Sequence, residues 1–372
     1  MKLTIENRVL LEILRTVAPA VNSRSTQPVL SMILLKADKM VNGAGLVEAA
    51  ATNLEVGIQK RFALDPIKTA FIEEGAVCIP AKLVIDFLST LPPDELVHLD
   101  VNETSWTMTI KCGKTRTSIK CLNSEEFPPM PAYVETGATI DGRVLASAIQ
   151  SVAFAASIDQ CRPHLEGINF QRKGKELIMA ATDGFRLAVN RLPVETPIAG
   201  TIPTQALRMV VPMGKADMIF ISQGNGKIIF RGIDGWQITT SMIDGTYPDI
   251  DVIIPKSSKT KATVNRAQLV TAVRQARIIA SESNRAVILS INGACKVHSE
   301  AEETGDTETE IESKLDGPEI TIAFNSAYLL EALEAFNAGE VVLAMNDNRG
   351  PCKITAPDKQ GLEQVLMPLN IK

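Results

Sequence analysis

The sequence has few of the residues from which active sites and metal centres are usually built. It contains only three histidines, His98, His164 and His298, and their spacing suits no metal site. It contains no GxSxG nucleophile elbow, no phosphate-binding P-loop and no GxGxxG dinucleotide motif. These absences argue against catalysis at any familiar site, and they give no reason to expect a cofactor or a bound metal.

Cysteine pairs and long apolar runs are missing as well. The six cysteines are scattered without a CxxC spacing, which is typical of free thiols in a reducing compartment. No apolar run reaches the roughly 20 residues that a membrane-spanning helix needs, and no signal peptide precedes the first predicted strand. We therefore expect a cytoplasmic protein that makes no contact with membranes.

Aromatic residues and positive charge are also in short supply. Aromatics make up 4% of the chain and hydrophobic residues 45%, so the cores must be built from aliphatic side chains. The net charge of −5 argues against a uniformly basic nucleic-acid-binding protein. Positive charge confined to one surface remains possible, because the local field matters more than the sum. The length of 372 residues suggests two to three domains.

What the chain does contain is a threefold internal repeat. Three marks recur in the same order and at nearly constant spacing. They are a strand and helix start at Thr4, Thr139 and Thr263, a mid-repeat mark at Pro80, Pro203 and Asn325, and a closing pair at Phe127-Pro128, Tyr247-Pro248 and Met367-Pro368. The repeat predicts three domains, 1–131, 132–256 and 257–372.

Each repeat has the pattern of an α+β domain in which two amphipathic helices cover one face of an antiparallel sheet. Glu6, Asp141 and Asn265 stand where caps of the first helices belong. The run Leu30 to Leu35 is predicted to be a strand buried on both faces, and Gly113-Lys114 marks a hairpin turn.

The stretch Thr182-Asp183-Gly184-Phe185-Arg186-Leu187-Ala188 lies between two apolar runs. Asp-Gly in this position predicts a tight hairpin, because glycine adopts a positive φ without a Cβ clash. Such a turn would hold Arg186 and Leu187 in fixed positions beside the sheet edge. An ordinary hairpin with a solvated arginine is the alternative.

The polar faces of the predicted helices are more basic than acidic. An ordinary solvated surface explains this pattern on any single helix. On helices that recur in three repeats of an acidic protein, a shared basic surface predicts contact with a phosphate backbone without base recognition. The basic residues concerned are Arg8, Arg15, Lys82, Arg143, Arg208, Lys215, Arg266, Arg274 and Arg277.

Two other functions remain open on these residues alone. The first is a metal-dependent nucleic-acid hydrolase that uses Asp159, Glu166 and Asp183. The second is a three-repeat interaction scaffold unconnected with DNA. The hydrolase is disfavoured because most of these acids have no counterpart in the other two repeats.

Together these features resemble the β sliding clamp family, the beta subunit of bacterial DNA polymerase III. The resemblance covers the whole chain. It is carried by the opening Met1-Lys2-Leu3-Thr4-Ile5, by residues 181–188, by Gly245-Thr246-Tyr247-Pro248-Asp249 and by the closing Val365-Leu366-Met367-Pro368-Leu369.

The resemblance implies a non-catalytic processivity factor. Three clamp domains would form a crescent, and two crescents would close head to tail into a homodimeric ring around double-stranded DNA. The replicative polymerase, the clamp loader and other clamp-motif proteins would be its partners.

The resemblance also implies where partners bind. Two positions depart from the family's usual residues, since Phe185 replaces a common His and Val252 a frequent Arg, and both bear on peptide preference. The implied pocket for a partner peptide is lined by Leu165, Thr182, Gly184, Arg186, Leu187, Pro248, Ile253, Val365, Met367, Pro368 and Leu369. The residues expected to face DNA are Arg24, Arg15, Lys82, Arg143, Arg208 and Arg274, and those expected at the dimer interface are Thr117, Ile119, Ile278 and Ile279.

Overall fold

A computed structural model describes residues 1–39, 45–64, 71–130, 137–214, 218–280, 285–301 and 305–370. The chain divides into two compact units. Unit 1 comprises Met1–Arg143 and Pro212–Ser241, and unit 2 comprises Val144–Val211 and Met242–Lys372.

Seven α-helices lie within the described ranges. They are α1 (Asn7–Val17), α2 (Ala81–Ser89), α3 (Gly142–Val152), α4 (Thr204–Met213), α5 (Ile250–Ile253), α6 (Arg266–Ala280) and α7 (Ser326–Glu334). No helix in these ranges is long and apolar enough to cross a membrane.

The strands belong to three antiparallel sheets. The first half of the chain contains β1 (Lys2–Glu6), β2 (Met32–Lys39), β3 (Gly45–Thr52), β4 (Val56–Ala63), β5 (Phe71–Glu73), β6 (Gly75–Pro80), β7 (Leu96–Asn102), β8 (Thr107–Cys112), β9 (Thr115–Lys120), β10 (Ala138–Asp141), β11 (Gly167–Lys173), β12 (Glu176–Thr182) and β13 (Arg186–Leu192). The second half contains β14 (Gly200–Pro203), β15 (Met218–Gly224), β16 (Lys227–Gly232), β17 (Trp236–Ser241), β18 (Thr260–Asn265), β19 (Ala286–Ile291), β20 (Ala294–Ala301), β21 (Gly305–Asp316), β22 (Ile320–Asn325), β23 (Glu340–Met345), β24 (Cys352–Thr355) and β25 (Leu362–Leu366).

The order of these elements repeats three times. Each time a strand leads into a helix, a group of strands follows, and a second helix precedes three more strands. The second helices are α2, α4 and α7, whereas the short α5 has no counterpart. This order confirms the predicted α+β class with two main helices per repeat. The domain limits at 131 and 256 stay a prediction.

Unit 1 holds two sheets. One has the strand order β5-β1-β7-β8-β9, and the other has the order β10-β15-β16-β17-β4-β3-β2-β6. Helix α1 packs on β3 and β4 through Leu10, Ile13, Leu14 and Val17, all of them buried. Their spacing of three to four residues puts them on one helix face, as the sequence pattern predicts.

Unit 2 holds one twelve-stranded sheet with the order β14-β11-β12-β13-β25-β24-β23-β18-β21-β20-β19-β22. Helices α6 and α7 pack against each other, and α6 also packs on β20. Leu269, Val273, Leu329 and Leu333 are fully buried in the core cluster beneath them. The pairing of β13 with β25 places the end of the chain beside the 182–188 hairpin.

Two local predictions were wrong. The strand predicted from Leu30 begins only at Met32, because a 3-10 turn that starts with Pro28 includes Leu30. In that strand Ile33 and Leu35 are buried, whereas Met32 and Leu34 are only half-buried. Of the three expected helix caps, Glu6 makes no side-chain cap bond. The first turn of α1 is held instead by the backbone hydrogen bond from Asn7 N to Glu95 O, at 2.9 Å.

Candidate partner-binding site

The 182–188 hairpin is held by its own side chains. Gly184 has a φ of +93°, which its lack of a Cβ permits. The Asp183 carboxylate accepts the backbone N–H groups of Phe185 and Arg186 at 2.9 and 3.1 Å. The Thr182 hydroxyl accepts from Gly184 N at 3.1 Å and donates to Arg186 O at 2.6 Å. The predicted hairpin is therefore confirmed, and its tip has a defined conformation.

The Arg186 guanidinium is occupied inside the protein. Its Nε donates to Asp183 at 3.0 Å, one terminal nitrogen donates to Glu331 on α7, and the other donates to Phe154 O at 2.7 Å. It stacks on the Tyr328 ring, with Cζ 4.2 Å from the ring centroid. Only 10% of the side chain is exposed. Arg186 therefore fastens the hairpin to α7.

A small apolar cluster lies beside the hairpin, and we call it the C-terminal cluster. Leu187 on β13 and Val365 on β25 are paired across the sheet, and both are 2% exposed. The other members are Ile178, Ala180, Val189 and Ile250, with Tyr247, Ile253 and Ile254 packed at the margin. Strands β12, β13 and β25 and helix α5 thus supply one apolar cluster.

Tyr247 joins the cluster to the strand behind it. Its hydroxyl donates to Ala180 O at 3.2 Å. Burial raises the pKa of the Tyr247 phenol well above its usual range. The side chain is therefore a neutral hydrogen-bond donor at physiological pH, as a mostly apolar environment requires.

Backbone hydrogen bonds hold the segment 367–369 in place. Met367 N donates to Phe185 O at 2.9 Å, and Leu369 N donates to Ala323 O at 2.8 Å. Because side chains alternate along an extended segment, Met367 falls on the same face as Val365. Met367 is 43% exposed and Phe185 59% exposed, so two large apolar side chains whose backbones are hydrogen-bonded to each other face solvent.

The predicted pocket residues differ in how accessible they are. Leu165, Thr182, Leu187 and Val365 are at most 4% exposed. Arg186, Pro248, Ile253, Pro368 and Leu369 are half-buried, while Gly184 and Met367 are exposed. Leu165 lies outside the C-terminal cluster, on a turn in which its N–H bonds Arg162 O at 2.9 Å.

Arg162 is a residue of this site that sequence reasoning missed. Its Nε donates to Asp159 at 3.0 Å. A Cβ placed on Gly184 would lie 3.1 Å from an Arg162 terminal nitrogen, so this cation lies against the hairpin tip. Two hydrogen bonds hold the pKa of the Asp159 carboxyl below its usual value. The larger effect comes from the backbone N–H of Cys161 and the next from the side chain of Arg162. No spacing signal in the sequence links 162 to 184.

Two of the three acids of the alternative hydrolase form ion pairs within their own loops. Asp183 is paired with Arg186 and Asp159 with Arg162. No group of three or more His, Cys, Asp or Glu residues that could hold a metal ion occurs in the described part of the chain.

The basic residues expected to face DNA are all exposed. Arg15 on α1 donates to Ser89 at 2.9 Å, and Arg274 on α6 is paired with Glu334 at 2.7 Å. The others are Lys82 on α2, Arg143 on α3, Arg208 on α4 and Arg24 in the loop after α1.

The residues expected at the dimer interface lie at two places. Thr117 and Ile119 are on β9, the edge strand of its sheet, where Ile119 is only 6% exposed. Ile278 and Ile279 are in the last turn of α6, where Ile278 is 73% exposed and Ile279 half-buried.

Comparison with known proteins gives matches along the whole chain. Profiles of the DNA polymerase III beta subunit match it at 1–131 for the N-terminal domain, 139–249 for the central domain and 251–370 for the C-terminal domain. It is similar to the beta sliding clamp of Synechococcus elongatus, at 29% identity over the full length of both chains.

Solved structures agree. The DNA polymerase III subunit beta from Pseudomonas aeruginosa superposes with a TM-score of 0.91 at 25% identity, with both chains fully covered. A sliding clamp from Bartonella birtlesii bound to griselimycin superposes with a TM-score of 0.92 at 27% identity, again over both full chains.

Proposed function

The chain belongs to the DNA polymerase III beta subunit family, and from this premise we propose how it works as a DNA sliding clamp. It is a non-catalytic processivity factor that encircles duplex DNA and tethers the polymerase. The observation that carries this function is the match of three consecutive family domains across one chain. We further propose domain limits at 1–131, 132–256 and 257–372, each holding one copy of the repeated element order.

The C-terminal cluster is the proposed pocket for partner peptides. Its walls are Leu187 and Val365, with Ile253 packed against them. Met367, which is exposed, and Pro248, which is half-buried, are proposed to complete its accessible margin. An apolar surface of this kind suits a short segment with Leu or Phe side chains. Because Met is flexible and unbranched, Met367 can move aside when such a side chain enters.

Arg186 has a positioning role in this proposal. Its guanidinium donates hydrogen bonds to Asp183, Glu331 and Phe154, and only 10% of the side chain is exposed, so a peptide has little access to it. It keeps the hairpin against α7, which keeps the Phe185 carbonyl in place to bind Met367 N. Arg162, whose side chain is 41% exposed, lies against the hairpin tip and can meet a polar group of the peptide.

Leu187→Ala should weaken binding of a polymerase-type peptide by roughly tenfold or more, since about 1.4 kcal/mol corresponds to one decade. The reason is the loss of a wall of the pocket. Fluorescence anisotropy titration of a labelled peptide measures the effect.

Leu177→Ala is the matched control for this substitution. Leu177 is 1% exposed, lies at the other end of the same hairpin and is outside the C-terminal cluster. Both variants lose stability by removal of a buried side chain, typically about 2–5 kcal/mol. Equal affinities in the two variants would place the peptide elsewhere.

The ring is proposed to be a head-to-tail homodimer joined by two strand edges. Strand β9 ends its sheet, and the β8–β9 hairpin carries Lys111, Lys114, Arg116 and Lys120 without any acid. Among the described residues, 305–312 of β21 pair only with β20, and this segment carries Asp306, Glu308, Glu310 and Glu312 without any base.

These two edges are complementary in charge and in backbone hydrogen bonding. Opposite charges across a β pairing are favourable, whereas a second copy of the same edge would repel. Ile278 stands beside the acidic edge, because Gln275, one turn earlier on α6, accepts a hydrogen bond from Thr309 of β21 at 3.2 Å. The proposed joint is therefore heterologous, and two copies close it twice.

Ile278→Asp should convert the dimer into monomers at nanomolar concentration. The change puts a carboxylate next to an acidic edge and removes an exposed apolar side chain from the joint. Ile279 is left intact because it is half-buried and would disturb folding. Analytical ultracentrifugation gives the answer, with Ile233→Asp as the control, since Ile233 is 84% exposed and lies between β16 and β17, in a different sheet from β9 and from β21. A variant that remains dimeric would exclude this joint.

DNA is proposed to pass along the helix faces that carry Arg15, Lys82, Arg143, Arg208 and Arg274, with Arg24 on a loop near it. These side chains are long and exposed, and they suit loose phosphate contacts that permit sliding. The clamp loader and other clamp-motif proteins are proposed to use the same C-terminal cluster. Because the protein is proposed to act on chromosomal DNA, its proposed location is the cytoplasm.

A further inference from the structure

Three of four neighbouring strands of unit 2 carry a lysine on one sheet face, and the fourth, β23, lies between them. Lys261 on β18 lies opposite Asp316 on β21 and, on its other side, opposite Ala344 on β23. Ala344 in turn lies opposite Lys353 on β24. Lys314 is two residues from Asp316 and therefore shares its face. Lysines thus stand on both sides of the small Ala344 side chain.

These residues line a groove of about 750 Å³. Val342 and Ala344 contribute apolar surface between the lysines, and Lys256 with Ser257 adds a wall from the loop before β18. That loop is fixed, because Asn346 accepts from Lys259 N at 3.1 Å and donates to Ser257 O at 3.0 Å. The wall is consequently in place before any ligand arrives.

The groove has a clear excess of positive charge. Four lysines line it against a single acid, Asp316, in a protein whose net charge is −5. Lys353 is paired with Glu363 at 3.6 Å. Lys256, Lys261 and Lys314 are exposed and form no ion pair with any residue in the described ranges. A local excess of this kind attracts an anionic partner.

The lining favours one class of anion. It contains no aromatic ring on which a base could stack and no arginine for bidentate phosphate contacts. The apolar strip of Val342 and Ala344 lies between cations, which suits alternating carboxylate and small apolar side chains. We propose that this groove, which we call the lysine groove, binds a short acidic peptide segment of a partner protein, independently of the C-terminal cluster.

The test uses the full-length dimer and a fluorescein-labelled hexapeptide of alternating Asp and Val. Anisotropy titration should show binding at low salt that weakens as salt is added. Lys261→Glu combined with Lys314→Glu should weaken binding by roughly tenfold or more. Lys175→Glu combined with Lys359→Glu is the matched control, since both lysines are exposed, lie in unit 2 and give the same change of net charge.

Three results would overturn the proposal. The first is absence of hexapeptide binding to the unmodified protein at low salt. The second is an equal loss in the control pair, which would mean attraction to overall charge alone. The third is binding of single-stranded oligo-dT that is far tighter than binding of the hexapeptide and is lost when Lys261 and Lys314 are changed. That result would make the groove a nucleic-acid site. Leu187→Ala should leave hexapeptide binding unchanged, so failure of this site is distinguishable from failure of the C-terminal cluster.

Discussion

A chain that ends at Leu366 is expected to lose polymerase-type peptide binding while it still forms dimers. The truncation removes Met367, which is exposed and is proposed to form the accessible margin of the C-terminal cluster, and Leu369, which anchors the segment on Ala323. Well-packed interface residues cost about 2 kcal/mol or more each on truncation. Two such residues correspond to a loss on the order of a thousandfold in affinity. Peptide anisotropy together with sedimentation of the same samples measures both properties.

A chain that ends at Asn370 is the control for this truncation. It retains both backbone bonds of the segment, from Met367 to Phe185 and from Leu369 to Ala323. It should bind peptide as the full chain does. If the chain that ends at Leu366 binds peptide with full affinity, the end of the chain is not part of the site. If that same chain no longer forms dimers, peptide binding and dimer formation share a surface.

The sequence could predict the parts of this site that depend on neighbours in the chain. The Asp183-Gly184 hairpin is one of them, because the turn needs only a positive φ at Gly184 and acceptors from Thr182 and Asp183. The helix faces are another, because the period of buried residues in α1 is a local property. In both cases short-range sterics and hydrogen bonds determine the result.

Contacts between residues far apart in the chain could not be predicted in this way. The partners of Arg186 come from Phe154, Glu331 and Tyr328, which no spacing rule connects. The burial of Leu187 likewise depends on β25 pairing with β13, a contact between residues well over a hundred positions apart. The sequence resemblance assigned Leu187 and Arg186 to the same pocket. Only the tertiary structure shows that Leu187 belongs to the C-terminal cluster, whereas Arg186 positions the hairpin.

Short-range patterns also fail where a tertiary contact competes with them. Glu6 has the sequence position of a helix cap, yet the first turn of α1 is satisfied by carbonyls of the loop before β7, from Asn7 N to Glu95 O and from Arg8 N to Pro93 O. The Glu6 carboxylate is instead paired with Arg8 at 2.8 Å. A backbone acceptor that folding brings close has displaced the side-chain cap.

The other large effect concerns retention on DNA. Loaded onto nicked circular DNA, the protein should remain through a rise in salt that would release a protein held by phosphate contacts. A protein with six to ten such contacts loses about three to five orders of magnitude in affinity over a modest salt rise. The helix faces here offer dispersed cations, of which Arg274 is already neutralised by Glu334 at 2.7 Å. Contacts of this strength cannot account for persistence, whereas a closed ring can.

Cutting the same circles once with a restriction enzyme should release the protein, because a ring slides off a free end without breaking any strong contact. Gel filtration of the DNA-bound fraction before and after cutting measures the difference at fixed salt. Ile278→Asp, which opens the proposed joint, should be lost from circles and linear DNA alike, whereas Leu187→Ala should be retained on circles. If salt alone strips the unmodified protein from circles as readily as from linear DNA, retention is electrostatic. The exposed cations at Arg15, Lys82 and Arg208 would then bind the backbone directly instead of merely surrounding it.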